Sequence, residues 1–189
     1  MINEKYTRLK ISTLTIPAWA DWQVTESVRL ISQAADLRRT VNGELVNVAR
    51  STFRKYSVDI RVQDHWAAGL SGIDLGSYCE VIPSEHFSLS VPGGAVSAKI
   101  PRAGIEVVGI TDDGVEIPAT SQPTNPLPLQ TARAGNRIGF LRVQRTVSFS
   151  TPVVLVRYRP VLACLVTDWT TDSDEAAATA SWTISLEEV

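Results

Sequence analysis

Tyr56-Ser57-Val58-Asp59-Ile60-Arg61-Val62 is the stretch that decides the fold class. Apolar Tyr56, Val58, Ile60 and Val62 alternate with polar Ser57, Asp59 and Arg61. Successive side chains of a β-strand point to opposite faces, so this alternation gives one buried face and one wet face. Near the end of the chain the pattern returns. Ala178, Ala180, Trp182, Ile184 and Leu186 alternate with Thr179, Ser181, Thr183 and Ser185. One wet face per strand is the mark of antiparallel sheet, since strands of a parallel sheet are covered on both faces. Val58, Ile60, Trp182 and Ile184 are therefore the expected core.

Working outward, turn signals delimit further strands. Asn42-Gly43 predicts a two-residue type I′ hairpin with arms at 38–41 and 44–48, because Asn-Gly tolerates positive φ at both central positions. Asp113-Gly114 is a second such signal, between arms at 105–111 and 115–117. Residues 22–31 also alternate, with Trp22, Val24, Val28 and Leu30 on one side. The apolar stretch 153–169 is interrupted by Pro160, which lacks a ladder donor, so it reads as two strands or one strand bent at an edge. Helical signal is weak. Asp174-Glu175-Ala176-Ala177-Ala178 contains good helix formers, but the Thr/Ser alternation after it favours a turn leading into a strand. Residues 27–38, with Ala34 and Ala35, are the other place for a short helix. The expected fold is all-β: an antiparallel β-sandwich or partly closed barrel, with a long Pro-rich loop.

The chain has 189 residues, 44% hydrophobic and 20% charged, which fits residues 1–189 as a single β domain with a sizeable core. One excursion departs from this, at about 118–135, where Pro118, Pro123, Pro126 and Pro128 lie among Thr, Ser, Gln and Asn. It lacks the apolar mass to order itself alone and reads as a loop that orders against a neighbour. The formal net charge of −2 argues against a nucleic-acid partner, which needs clustered Lys and Arg. No apolar run approaches the roughly 20 residues that cross a bilayer, so no membrane insertion is expected. The first ten residues lack the apolar core of a signal peptide, so synthesis and folding in the cytoplasm are expected. Cys79 and Cys164, far apart in apolar runs, read as core thiols rather than a disulfide or ligands.

Chemistry-bearing patterns are sparse. His65 and His86 stand beside Asp64 and Glu85, but neighbours on a strand point to opposite faces, and both read as surface or loop histidines. His65, His86, Cys79 and Cys164 match no recurring zinc spacing. Neither a Gly-x-Ser-x-Gly elbow nor a phosphate loop occurs, and Gly69-Leu70-Ser71-Gly72 is a glycine-rich turn. The carboxylates Asp112-Asp113, Asp172/Asp174/Glu175 and Glu187-Glu188 fall in turns or at the terminus, where solvated charge is expected. The reading is a non-enzyme with no cofactor and no metal.

Charge order is more informative. Between Glu116 and Asp168 there is no acidic residue, while Arg133, Arg137, Arg142, Arg145, Arg157 and Arg159 fall there. From Asp168 onward, Asp168, Asp172, Asp174, Glu175, Glu187 and Glu188 occur with no Lys or Arg. Two readings stand: cross-strand pairing of adjacent strands in one sheet, or two opposite patches that steer self-association. Trp19 and Trp22 flank Asp21 and either seal a core edge or anchor an interface. The candidate interface residues are thus Trp19, Trp22, Arg157, Arg159, Glu187 and Glu188.

Two stretches carry a family resemblance. Leu37-Arg38-Arg39-Thr40-Val41-Asn42-Gly43-Glu44-Leu45-Val46-Asn47, followed by Phe53-Arg54-Lys55-Tyr56, is similar to a segment of small minor tail proteins of tailed bacteriophages. Val156-Arg157-Tyr158-Arg159-Pro160-Val161-Leu162, then Asp172-Ser173-Asp174-Glu175, then Trp182-Thr183-Ile184-Ser185-Leu186-Glu187-Glu188, resembles the ending of the same proteins. Together these cover less than half the chain. The resemblance implies a virion structural protein of the tail tip or baseplate, assembled in the host cytoplasm. It would act as a homo-oligomer docked to other tail proteins. The rivals are a carbohydrate- or receptor-binding module, which needs clustered exposed aromatics, and a wall-degrading hydrolase, which needs convergent carboxylates.

Overall fold

A computed structural model of the chain describes residues 9–11, 24–31, 37–47, 54–63, 70–120, 132–134, 137–139, 145–175 and 179–189. In chain order the strands are β1 (Lys10–Ile11), β2 (Thr25–Leu30), β3 (Leu37–Arg39), β4 (Leu45–Asn47), β5 (Tyr56–Gln63), β6 (Tyr78–Ile82) and β7 (Phe87–Ile100). There follow β8 (Gly104–Ile110), β9 (Glu116–Pro118), β10 (Ala132–Ala134), β11 (Arg137–Gly139), β12 (Arg145–Pro160), β13 (Leu162–Asp174) and β14 (Thr179–Glu188). Among the described residues there is no α-helix, only one 3-10 turn at Leu70–Gly72. The fold is all-β, with antiparallel sheets curved into half-barrels, as the alternation predicts. The chain divides into two compact units, residues 1–80 with 163–189, and residues 81–162.

In the first unit, six strands form one sheet in the order β1-β6-β13-β14-β5-β2. The two stretches with the clearest alternation are direct neighbours in it. β14 and β5 pair antiparallel, with Trp182 opposite Val62, Ile184 opposite Ile60 and Leu186 opposite Val58. All six of these side chains are at most 2% exposed. Their polar neighbours fall on the other face, where Ser185 Oγ donates to Asp59 Oδ1 at 2.8 Å and Arg29 holds Asp59 Oδ2 at 2.9 Å. β2 closes one edge and is shallowly buried, with Leu30 43% exposed. Where residues 27–38 allowed a short helix, 27–30 instead continue β2 and 37–38 open β3.

β6 joins β13 through a glycine bulge. Gly76, at φ 81, donates its N–H to the Val166 carbonyl at 2.7 Å, and the Val166 N–H donates to the Ser77 carbonyl at 3.0 Å. Two residues on one strand face one on the other, a pattern of antiparallel pairs that glycine enables by adopting positive φ. β13 then runs on past β6. Residues 170–175 are exposed on both faces, forming with the start of β14 a projecting polar arm.

In the second unit, four strands order as β7-β12-β8-β9. β7 and β12 are long and bent. Their register is regular from Arg145↔Ile100 to Ser148↔Ser97, shifts at Val153 and resumes from Leu155↔Ser90. The break coincides with Pro92-Gly93-Gly94 on one strand and Pro152 on the other, residues that cannot sustain a straight ladder. Bending brings the first half of β12 round to the end of β9, where Thr120 donates from both N and Oγ1 to the Ser148 carbonyl, each at 2.9 Å. The sheet thereby curls around Ile100, Val107, Val147, Phe149, Val153, Val156 and Tyr158. Gly109 lets β8 pass over this core, because a Cβ there would lie 2.6 Å from Val153 Cγ1 and 2.8 Å from the Phe149 ring.

Pro160 ends β12, and β13 begins at Leu162 in the other sheet, so the interrupted stretch is two strands. Both glycine hairpins exist, but neither is the two-residue type I′ turn. At the first, Gly43 N–H donates to the Thr40 carbonyl and Thr40 N–H to the Glu44 carbonyl, both at 2.9 Å. Thr111, Gly114 and Val115 repeat this at 3.0 and 3.1 Å. Only the glycines have positive φ, 83 and 78, so each loop is a three-residue turn closed by a glycine bulge. In both, the threonine Oγ1 also accepts the N–H beyond the glycine, from Glu44 at 3.2 Å and from Val115 at 3.1 Å. That extra bond from the preceding threonine explains why the longer loop forms here.

Candidate functional site

The charged residues singled out by the sequence fall into different environments. Arg157, on β12, reaches Glu116 on β9, with Nη2 to Oε1 at 2.7 Å and both side chains partly exposed. Arg159 is only 2% exposed. A buried guanidinium must be paired and hydrogen-bonded. Arg159 Nε donates to the Pro83 carbonyl at 2.9 Å, and Nη1 donates to Glu106 Oε1 at 3.1 Å. Glu188 is also buried, and its Oε2 accepts the Tyr56 N–H at 3.0 Å. Glu187 is exposed, paired in register with Leu165 and Ser57. Of the four candidates described, Arg159 and Glu188 thus hold their own units together, Arg157 is paired with Glu116 at a partly exposed position, and Glu187 presents its charge to solvent. Trp19 and Trp22 lie outside the described residues, as do His65 and residues 121–131 of the Pro-rich excursion.

The arginine-rich and acidic segments are not neighbours in one sheet. β12 belongs to the four-stranded sheet, whereas β13 and β14 belong to the six-stranded one. Arg157 and Arg159 find their acids upstream, at Glu116 and Glu106, inside their own unit.

Glu106 is the residue that sequence reasoning missed. It is the one non-glycine among the described residues with positive φ, at 52. The cause is a bulge: Arg157 pairs with Val108 but Arg159 pairs with Ile105, so β8 carries one extra residue there. The left-handed conformation costs a Glu roughly 1–2 kcal/mol. In exchange its carboxylate is aimed at Arg159, and Oε2 stands 3.7 Å from His86 Nε2. That last distance is too long for a hydrogen bond and counts as a charge contact only when His86 is protonated. Tyr158 and Pro160 share one face of β12, and Arg159 on the other face is buried too, against the Pro83 carbonyl and the Glu106 carboxylate. A Glu at a bulge carries no local signature; an Arg followed by Pro in an otherwise apolar strand is the only hint.

What this cluster does chemically is fasten. Arg159 ties the turn at Pro83 to β8 and β12, with Phe87 set edge-on to Tyr158 at 6.2 Å. Among the described residues, no three His, Cys, Asp or Glu side chains gather in a metal-binding group, and no helix is long and apolar enough to cross a membrane. In the first unit, Tyr78 Oη donates to Glu80 Oε1 at 3.3 Å, and burial, with the Glu80 charge, raises the phenol's pKa. Burial pushes the Cys79 thiol up to about 11.

The surface feature with the least internal explanation is the β3–β4 hairpin. It forms a two-stranded sheet of its own. Val41, Leu45 and Val46 on it are 106%, 58% and 40% exposed. Such a hairpin is marginal in water unless something covers it. No family model matches the chain, and no curated protein or solved structure matches it either.

Proposed function

We propose that this chain is a virion structural protein of a bacteriophage tail tip or baseplate, acting by self-assembly and by docking to other tail proteins. The observation that carries the reading is the β3–β4 hairpin. Its sequence is the stretch that resembles minor tail proteins, and its apolar side chains Val41, Leu45 and Val46 face outward. A two-stranded arm with exposed apolar residues gains stability when it packs against a partner, and its open strand edges offer backbone groups for pairing. The exposed β13–β14 arm adds a second projecting element. The described charged pairs, Arg157–Glu116 and Arg159–Glu106, are placed to brace strands.

The test is assembly state with and without the arm's apolar contacts. Sedimentation velocity of the purified chain should give a defined oligomer, and Leu45→Asp with Val46→Asp should dissociate it while leaving the circular dichroism unchanged. A monomeric wild type, or an oligomer indifferent to both substitutions, removes the self-assembly half of the proposal. Immunogold labelling of tailed particles tests the rest: gold should sit at the distal tail end, and label elsewhere or none would refute the assignment.

A further inference from the structure

The two cysteines of the chain, 85 positions apart in sequence, lie on adjacent strands, β6 and β13. The glycine bulge fixes the register, since it sets Ser77 opposite Val166 in an antiparallel pair. Carried two residues along each strand, that register sets Cys79 opposite Cys164, and two further again, Val81 opposite Leu162. Burial agrees, because all four of these side chains are 0% exposed and so share the covered face. A parallel run of β6 would instead set Cys79 against exposed Asp168.

We infer that Cys79 and Cys164 form a redox-sensitive pair that closes to an intramolecular disulfide when the protein meets a disulfide oxidant such as oxidised glutathione. Neither is in a disulfide in the structure. Val166 exchanges its two bonds with the Gly76 N–H and the Ser77 carbonyl, so carrying the ladder two residues on puts Cys79 and Cys164 at the next hydrogen-bonded position, with Cα atoms about 5.5 Å apart. That separation lies inside the range of about 4.4–6.8 Å that a disulfide spans. The Cβ atoms of directly opposed residues stand about 4.5–5.5 Å apart, against roughly 3.8 Å in a relaxed disulfide. Closing the bond draws the strands together and stores strain, which makes it readily reduced.

The place of the pair gives the bond its consequence. The chain leaves the first unit after residue 80 and returns to it at residue 163. Cys79 and Cys164 each lie within two residues of those crossings, so a bond between them staples the outgoing strand to the returning one. The whole of residues 81–162 becomes a closed loop.

The reaction balances as two exchanges. One cysteine thiolate attacks a sulfur of oxidised glutathione, expelling one glutathione thiolate and leaving a mixed disulfide. The second cysteine thiolate attacks the protein sulfur of that adduct, expelling the other glutathione. The protein loses two protons and two electrons, and the oxidant becomes two thiols. Burial and a thiol pushed up to about 11 keep the first step slow at neutral pH. Entry comes by local opening at the edge of the sheet, where β6 is flanked only by the two-residue β1.

The experiment treats the full chain with oxidised glutathione at mildly alkaline pH, with and without sub-denaturing urea, and reads intact mass. Wild type should lose two hydrogens and yield a tryptic peptide linking Cys79 to Cys164, faster in urea and fully reversed by dithiothreitol. Cys164→Ser and Cys79→Ser should each stop at a stable glutathione adduct, because no second thiol resolves it. A wild type that accumulates the same adduct without losing hydrogens, forms only intermolecular dimers, or stays unmodified in urea would overturn the pairing.

Discussion

Replacing Trp182 tests the core of the six-stranded sheet most directly. The indole is 2% exposed and sits between Val62 of β5 and Thr171 of β13 on the adjacent strands. A Trp side chain buries on the order of 200 Å², and at about 25 cal/mol per Å² its full transfer is worth roughly 5 kcal/mol. Ala recovers part of that, and the strands collapse only partly into the gap, so Trp182→Ala should cost about 3–5 kcal/mol. For a chain of this size that lowers the melting temperature by about 6–20 °C. Trp182→Phe separates two contributions. Phe loses packing volume, but it also removes the indole N–H, which is buried and has no hydrogen-bond partner among the described residues. An unpaired buried donor costs about 1–3 kcal/mol, so Phe should come out within about 1 kcal/mol of wild type.

The assay is urea unfolding followed by far-ultraviolet circular dichroism, with midpoint and slope fitted for each variant. The alanine variant should shift the midpoint with little change of slope. A cost under about 1 kcal/mol for alanine would show that Trp182 is not a core residue, and the assigned pairing of β5 with β14 would fall with it. A phenylalanine variant as damaged as the alanine one would mean that the indole N–H has a partner after all.

Other substitutions probe the second unit and the turns. Gly109→Ala should destabilise by about 1–3 kcal/mol, because its Cβ collides with Val153 and Phe149; thermal melting at wild-type level would refute the close approach of β8. Glu106→Ala should cost about 1–2 kcal/mol, less than a fully buried pair because the carboxylate is half exposed and Arg159 keeps the Pro83 carbonyl; added salt should not restore it. Gly43→Ala and Gly114→Ala should each lose about 1 kcal/mol from positive φ, measurable as a small shift in urea midpoint. Alkaline pH should destabilise the first unit: the Cys79 thiol moves from 9.0 to about 11 on folding, so its contribution is complete below pH 9 and is lost as pH rises toward 11. Roughly 2–3 kcal/mol is at stake, Tyr78 acts in the same direction, and Cys79→Ala should flatten the profile between those limits.

How much of this was legible follows from the range of the interactions. Residues 56–62 and 178–186 declared themselves because alternation is local, and burial then followed side by side from Val58 to Leu186. The glycine turns were legible as turns, yet their type was not, because it depends on a threonine hydroxyl that captures an N–H four residues on. Pro160 marked the break between β12 and β13 but not that the strands part into different sheets. Arg159 read as a candidate interface residue, whereas it is buried by contacts with Pro83 and Glu106 that lie far off in sequence, Glu106 being aimed at it by the bulge between β8 and β12. Such a bulge is a property of two strands together, so neither strand's sequence records it.

The interface residues show the same limit from the other side. A list of arginines and acids in order suggests opposite patches, yet a patch exists only where the fold leaves charge unused. Here Arg159 bonds Glu106 and Glu188 bonds the Tyr56 amide, so neither reports on a partner. Reversing Glu188 would therefore break the strand contact first, Arg157 is held by Glu116, and a test of docking by charge belongs on Glu187. Glu187→Lys should leave the melting temperature within about 1–2 °C, since exposed substitutions change stability by roughly 0.5 kcal/mol or less. If charge steers assembly, the same variant should slow association, and the difference from wild type should shrink as salt shortens the Debye length from about 10 Å at 0.1 M to about 3 Å at 1 M. Association measured by light scattering across that salt series decides it. Equal rates at every salt concentration would leave the exposed apolar side chains of β3–β4, Val41, Leu45 and Val46, as the surface on which the proposed self-assembly rests.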